Sequence, residues 1–449
     1  MKTRRKNEMK YRLDMLVFEG GERYPILIDE EGMPHFHATL HVTSELRPHL
    51  AVNTIKNRLK ALRWFFEWEW QNGRNLHAEF QQGQFLKDGD LESIREHMKL
   101  DVREHKKQQD GKALMTKKVF SIDDQPKMQM AAASVSSNHH YNQMTAVADY
   151  LHFVAKVANQ HRNCIDTTCA IDNMQKRLKK GRPKRRKSSP LASALKVEDG
   201  LINEFLEVAH PEHAKNPFKN PAVQKRNYLM FRILKETGMR RGELLSLDIT
   251  YMELSGSGRP AIKVMRKHDD PYDSRTVQPV TKTLERRLVI QPETARLIDS
   301  YILIERAKTP NAKKHPYLFV VHQKGSTQGQ PVSTSTFDND IVQAMKKVDE
   351  RFKIIHPHLF RHDWNTRFSN KVDTINAQRE QAKNQGKETK PPITPESAAQ
   401  SRMHQMGHSN VRSGDPYNMR HIVEQAEELS LREQEELEQA RRQPQGGQE

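Results

Sequence analysis

Cysteine is nearly missing from this sequence: its 449 residues include two, Cys164 and Cys169. Two thiols are too few for a disulfide framework or a four-cysteine zinc site, so reduced thiols in a cytoplasmic protein are expected. Long apolar runs are missing too. No stretch is long enough to span a bilayer, which excludes an intrinsic membrane partner. The basic N-terminus MKTRRKNEMKYRLDM lacks the apolar segment of a secretory signal. Hydrophobic residues reach only 35% and mean hydropathy is -0.87, so part of the chain is expected to stay extended. No acidic ligand cluster calls for a metal, and no cofactor is implied.

Positive charge is what the chain has in excess. Lys and Arg number 74 against 57 Asp and Glu, a net charge of +17 and a pI near 9.6. Such an excess points to a polyanion. Nucleic acid is the usual one, because Lys and Arg displace counterions from phosphates; a solvated basic surface or acidic lipid is the alternative. A chain of this length exceeds one ordinary core, so two or three domains are expected.

The chain divides by pattern. Residues 1–45 read as a small β-rich segment with strands in YRLDMLVF, RYPILID and HFHATLHV, separated by Gly20-Gly21 and by Gly32 and Pro34. From 46 the period becomes helical, with Ile55, Leu59, Leu62 and Phe66, then Tyr141, Met144, Val147, Leu151 and Val154. Trp64, Trp68 and Trp70 are expected in the core of this helical domain, 46–165. Residues 166–199 read as a linker around KRLKKGRPKRRK, whose charges repel and resist burial. Lys179, Lys180, Arg182, Lys184, Arg185 and Arg186 then either strap along DNA phosphates or form a solvated tether. Residues 200–425 form a mixed unit with a polar, exposed insertion at 372–396, and 426–449 is a Glu-rich tail. The fold class expected is mainly α with small β-sheets, an α+β chain.

Four islands in the mixed unit carry chemistry. KETGMRRGELLSLDI holds a helix stop at Gly238, then Arg240, Glu243 and Leu244. VTKTLERRLVI places Lys282 before a strand, in a hairpin that also holds Lys263 and Lys267. HPHLFRHDW sets His358 and Arg361 three apart on one helical face. MGHSNVRSGDPY puts His408 at an expected helix start and Tyr417 nine residues later. In this order and spacing the islands closely resemble the tyrosine recombinase, or phage integrase, family. That family carries T-G-x-R-x-x-E-L, a hairpin Lys, H-x-x-R, and G-H followed by Tyr. The resemblance covers roughly 200–420, and the preceding helical segment looks like the family's core-binding domain. Two departures stand out: a longer gap between Arg361 and Gly407, filled by the 372–396 insertion, and a long hairpin in which Lys267 is the runner-up to Lys282.

The residue types suit an attack on a phosphodiester. Arg240 and Arg361 stay cationic and offer planar forks to the nonbridging oxygens. His358 and His408 can bond the phosphate or assist proton movement. Tyr417 is the candidate nucleophile, and its phenol, of ordinary pKa about 10, needs cationic neighbours. The resemblance implies that Lys282 protonates the leaving 5′ oxygen and that Glu243 orients the site. It further implies a 3′-phosphotyrosyl link without ATP or metal, double-stranded DNA as partner, and a homo-tetramer on paired sites. A cytoplasmic, nucleoid-associated enzyme of a mobile element follows as the expectation. Relaxation like that of a type IB topoisomerase shares the chemistry, and a catalytically silent DNA-binding protein is the alternative of another class.

Overall fold

The computed structural model describes residues 10–102, 134–162, 164–186, 200–256, 258–411 and 415–442; beyond 411 it describes side chains for 425–439. The chain separates into two compact units, residues 1–18 with 23–187 and residues 19–22 with 188–449.

The first unit opens on β1 (Arg12–Val17) and β2 (Arg23–Ile28), antiparallel with Arg12 opposite Ile28 and Val17 opposite Arg23. The third expected strand is not one. HFHATLHV instead forms helix α1 (Phe36–His41), continued by a π-type turn at Val42–Leu46. Its alternation imitates a strand, but Ala38, Val42 and Leu46 recur every fourth residue, and all three are buried. The His35 side chain caps the helix by accepting from the Ala38 amide at 3.2 Å.

Helix α2 (Val52–Gln71) buries Ile55, Leu59, Leu62 and Phe66, as its 3.6-residue period requires. Trp64 and Trp68 lie in the core, donating to the His97 carbonyl at 3.0 Å and Ser93 Oγ at 2.9 Å, whereas Trp70 is exposed. Helices α3 (Leu76–Gln81), α4 (Asp88–Lys99), α5 (Ser137–Ala158) and α6 (Ile165–Lys180) complete the unit, α5 packing on both α2 and α6.

Here the expected linker needs correction, since its first half is α6. Ile171, Met174 and Leu178 bury one face, and the charges stay outside because Lys and Arg can lay apolar stems along a surface. Lys179 pairs with Asp149 at 2.9 Å, and Lys180 ends the helix, where cations meet the dipole favourably. Arg182 donates to Thr145 Oγ1 at 3.0 Å, and the Arg182 and Arg185 guanidinium groups each lie 4.3 Å from the Tyr141 ring centre. Lys180, Lys184, Arg185 and Arg186 are exposed. Residues 187–199 lie outside the described residues.

In the second unit, α7 (Leu201–Ala209) and α8 (Pro221–Thr237) lead to the short α9 (Arg241–Leu245). Strands β3 (Met252–Glu253), β4 (Ala261–Val264) and β5 (Arg286–Val289) form an antiparallel sheet in that order, Val264 facing Arg286. Helices α10 (Pro292–Ser300), α11 (Gln343–Lys346), α12 (Pro357–Asn384), α13 (Pro395–Met406) and α14 (Asp415–Arg442) follow. Phe205, Phe231, Phe352 and Phe360 meet in one core with Leu244, Ile262 and Leu288. Each such buried side chain contributes about 1.5–3 kcal/mol, enough to hold α8, α9, β5 and α12 in fixed relation. The chain is α+β.

The polar stretch 372–396 is exposed, but it is not a loop throughout. Helix α12 runs on to Asn384, and the Asn376 amide clasps the returning backbone, donating to the Ile393 carbonyl at 2.9 Å and accepting from its amide at 2.8 Å. The tail likewise has no break at 425, because α14 starts at Asp415 and leaves Leu429, Leu431 and Leu437 exposed. Among the described residues no helix is long and apolar enough to cross a membrane.

Candidate active site

The site begins with a helix that must stop. Asn220 caps the start of α8 and Pro221 occupies its first turn, while Gly238 ends it in the left-handed conformation at φ +63°. A Cβ at Gly238 would lie 2.9 Å from Trp364 Cβ, so the position has neither conformational nor steric room for a side chain. The stop turns the chain so that Arg240 caps α9 and its own amide donates to Glu243 Oε2 at 3.0 Å.

His408 sits at an equivalent stop rather than at the expected helix start. Gly407 ends α13, also at φ +63°, and His408 is the next residue. A Cβ at Gly407 would come within 2.8 Å of Thr283 Cβ and 3.0 Å of the Leu284 carbonyl. The glycine lets that hairpin segment approach.

Arg361, in the second turn of α12, joins the two helix ends. It is completely buried, and it donates from Nη1 to the Gly238 carbonyl and from Nη2 to the Met406 carbonyl, each at 3.0 Å. Nη2 also lies 2.9 Å from His408 Nε2, and Arg240 Nη2 approaches the same nitrogen at 3.4 Å. Guanidinium groups have no acceptor, so His408 Nε2 must be the unprotonated, accepting nitrogen. Burial, then the charges of Arg361, Arg240 and Arg286, push the His408 pKa down to about 4. His358, one turn before Arg361, is pushed to about 4 by burial, then by His362 and Arg361. Both rings are therefore neutral near pH 7.

Glu243 is the buried hub. Its carboxylate accepts from Thr283 Oγ1 at 2.5 Å and from Arg286 Nη2 at 2.7 Å, besides the Arg240 amide. Burial alone would raise its pKa, but Arg286 outweighs that and holds it below the ordinary carboxylate range. Neither Arg286 nor Thr283 is among the site residues expected from the sequence. A signal was available, since β5 alternates buried and exposed and puts Arg286 on the same inward face as Leu288. A charge at an inward register needs a buried partner.

The three hairpin lysines separate by environment. Lys263 pairs with Glu253 at 2.7 Å. Lys267 pairs with the buried carboxylate of Asp248. Lys282 is exposed, beside Thr283 of the hub. Tyr417 lies in the first turn of α14, which packs against α12; its side chain is outside the described residues. The strap residues Lys179 to Arg186 belong to the first unit, and this cluster belongs to the second. Among the described residues no group of His, Cys, Asp or Glu is placed to hold a metal.

Comparison with known proteins finds likeness over part of the chain. The model of the phage integrase family matches residues 210–379, the segment that holds Arg240, Lys282, His358 and Arg361. The tyrosine recombinase XerD of Halalkalibacterium halodurans is 26% identical over 184 residues, 41% of this chain and 50% of the relative, so the chain matches about half the relative's length. Among solved structures, XerH site-specific recombinase bound to palindromic difH substrate is 13% identical over 90% of both chains, with a TM-score of 0.40. XerA recombinase is 16% identical over 85% of this chain and 92% of the other, with a TM-score of 0.30. The likeness to the phage integrase, or tyrosine recombinase, family thus rests on residues 210–379, less than half of the chain.

Proposed function

We propose that this protein is a site-specific DNA recombinase that cuts and rejoins strands through a 3′-phosphotyrosyl intermediate. The observation that carries this reading is the convergence of Arg240 and Arg361 on one neutral imidazole, His408. A scissile phosphate enters beside that pair. Its nonbridging oxygens accept from the partly exposed Arg240 guanidinium, and the buried Arg361 charge beside it helps to stabilise the charge that grows on phosphorus substitution. The Tyr417 oxygen bonds to phosphorus as the bond to the 5′ oxygen breaks. The phenol proton passes to a neutral base, for which His358 has the right protonation state, and Lys282 gives a proton to the departing oxygen. Attack by another strand's 5′-OH reverses these steps and rejoins the backbone. Because the bond energy stays in the phosphotyrosine, no nucleotide is consumed.

The partner is double-stranded DNA, whose phosphates suit the net charge of +17 and the exposed Lys180, Lys184, Arg185 and Arg186. Assembly as a homo-tetramer on paired sites fits the exposed Leu429, Leu431 and Leu437 of the tail helix. Loss of residues 422–449 without any change in assembly on DNA would remove that support.

The test is covalent capture. Nicked duplexes of random sequence are incubated with the full chain, and protein that carries DNA through denaturing electrophoresis is recovered and sequenced. A Tyr417-linked adduct enriched for one sequence is expected. Equal adduct from Tyr417→Phe would reject the nucleophile, and adducts without sequence preference would favour simple relaxation chemistry over recombination.

A further inference from the structure

The hairpin between β4 and β5, residues 265–285, is long, and a free loop of that length would not hold one side chain near a phosphate. Its end is not free. Backbone alternation buries Thr281, exposes Lys282 and buries Thr283, so the lysine is the outward residue between two inward ones. Upstream, Ser246 Oγ donates to the Pro279 carbonyl at 2.9 Å. The Val280 carbonyl sits so close to α9 that a Cβ on Gly242 would meet it at 2.8 Å.

Downstream, Thr283 Oγ1 donates to Glu243, and the Leu284 amide donates to the Gly407 carbonyl at 2.9 Å. Arg286 closes the frame, donating to Thr283 Oγ1 at 2.9 Å, to Glu243 at 2.7 Å and from Nε to the Gln405 carbonyl at 2.8 Å. Every anchor belongs to α9 and the residue that ends it, which follow Arg240, or to the end of α13, which precedes His408.

We propose that Gly242, Thr283 and Arg286 are positioning residues that register Lys282 against the Arg240–His408 pair. This rests on the reading above, in which Lys282 protonates the 5′ oxygen. None of the three touches the phosphate. They act through backbone placement, and Gly242 does so by having no side chain. The frame also explains which lysine is available, because Lys263 and Lys267 are each held by a carboxylate.

The experiment measures single-turnover cleavage of duplexes recovered by covalent capture, made with either oxygen or sulfur at the 5′ bridging position. A thiolate leaves without needing a proton, so sulfur rescues a missing or misplaced acid and nothing else. Gly242→Ala and Thr283→Val should slow cleavage of the oxygen duplex by about 100-fold, the scale of an ångström-level misplacement. Both should cleave the sulfur duplex at about the wild-type rate and bind DNA unchanged, and Thr283→Ser, which keeps the hydroxyl, should restore the oxygen reaction. Equal slowing on both duplexes, or no slowing on either, would overturn the inference. If Lys282→Ala itself is not rescued by sulfur, the acid assignment fails instead. As a readout without DNA, amide exchange across 279–290 should quicken in Thr283→Val, and unchanged protection would also overturn the proposal.

Discussion

Arg361 makes a prediction that separates architecture from chemistry. Its guanidinium satisfies the terminal carbonyls of two helices, Gly238 and Met406, from two different nitrogens, and a third contact goes to His408. Arg361→Lys keeps the charge but replaces a planar fork with one ammonium on a shorter reach. One nitrogen cannot serve carbonyls placed for two, so at least one buried acceptor is left without a donor, at about 1–3 kcal/mol. The loss should fall on the second unit alone. Denaturant titration followed by amide exchange in peptides of 357–384 reads that unit separately from the first. A lower midpoint there, with peptides of 52–71 unmoved, is expected. If Arg361→Lys is as stable as the parent within about 0.5 kcal/mol, the range of an ordinary surface change, the buried junction of the two helix ends is wrong, whatever happens to activity.

Two further outcomes follow from charge. The pKa values of His35, His37, His41, His322, His358 and His408 are all pushed to about 4, first by burial. The unfolded chain therefore takes up protons first, so stability should be intact above the ordinary histidine pKa of about 6.5 and fall between there and about 4, levelling below. A flat urea midpoint from pH 7 to 5 would contradict these assignments. For the basic strap, replacing Arg185 and Arg186 with Ala should lower the slope of log affinity against log salt by about 0.9 for each phosphate no longer neutralised, as counterion release requires. An unchanged slope would make them a solvated tether.

What the sequence disclosed and what it hid have a physical division. Gly238, Arg240 and Glu243 were legible because a helix stop, a cap and a first-turn carboxylate are local, and local rules place them. The burial of Arg361 was not, because it depends on two carbonyls more than 40 residues from it or from each other along the chain, brought in by packing. Charge alone makes the strap look unstructured from its start, yet Ile171, Met174 and Leu178 keep a helical period that composition masks. HFHATLHV fits both periods, and only burial against β2 and α5 decides between them. An orienting role for Glu243 is what the family resemblance implies, but its partners Thr283 and Arg286 lie on or beside a strand whose inward face becomes evident only once the sheet is registered.

The arrangement of charge at the site leads to one more test. Two guanidinium nitrogens that contact a single imidazole nitrogen at 3.4 and 2.9 Å are no more than about 6 Å apart. At that separation, with an effective dielectric near 20, two unit charges repel by about 3 kcal/mol. The Gly238 and Met406 carbonyls and the Glu243 carboxylate offset part of this, yet His408 is neutral and supplies no counter-charge. The fold thus holds the pair in mutual repulsion, and an oxyanion bound at the partly exposed Arg240, within Coulomb reach of buried Arg361, turns that repulsion into two attractions. Sulfate should bind and stabilise the second unit, by about 2.7 kcal/mol when it stands at 100 times its dissociation constant. Sulfate also stabilises proteins generally by exclusion from their surface, so the informative quantity is the difference between the parent and Arg240→Gln, measured against chloride at matched ionic strength. The variant should retain only the general effect. If it gains as much from sulfate as the parent does, the two arginines do not form one anion site, and the phosphate geometry inferred from them fails with it.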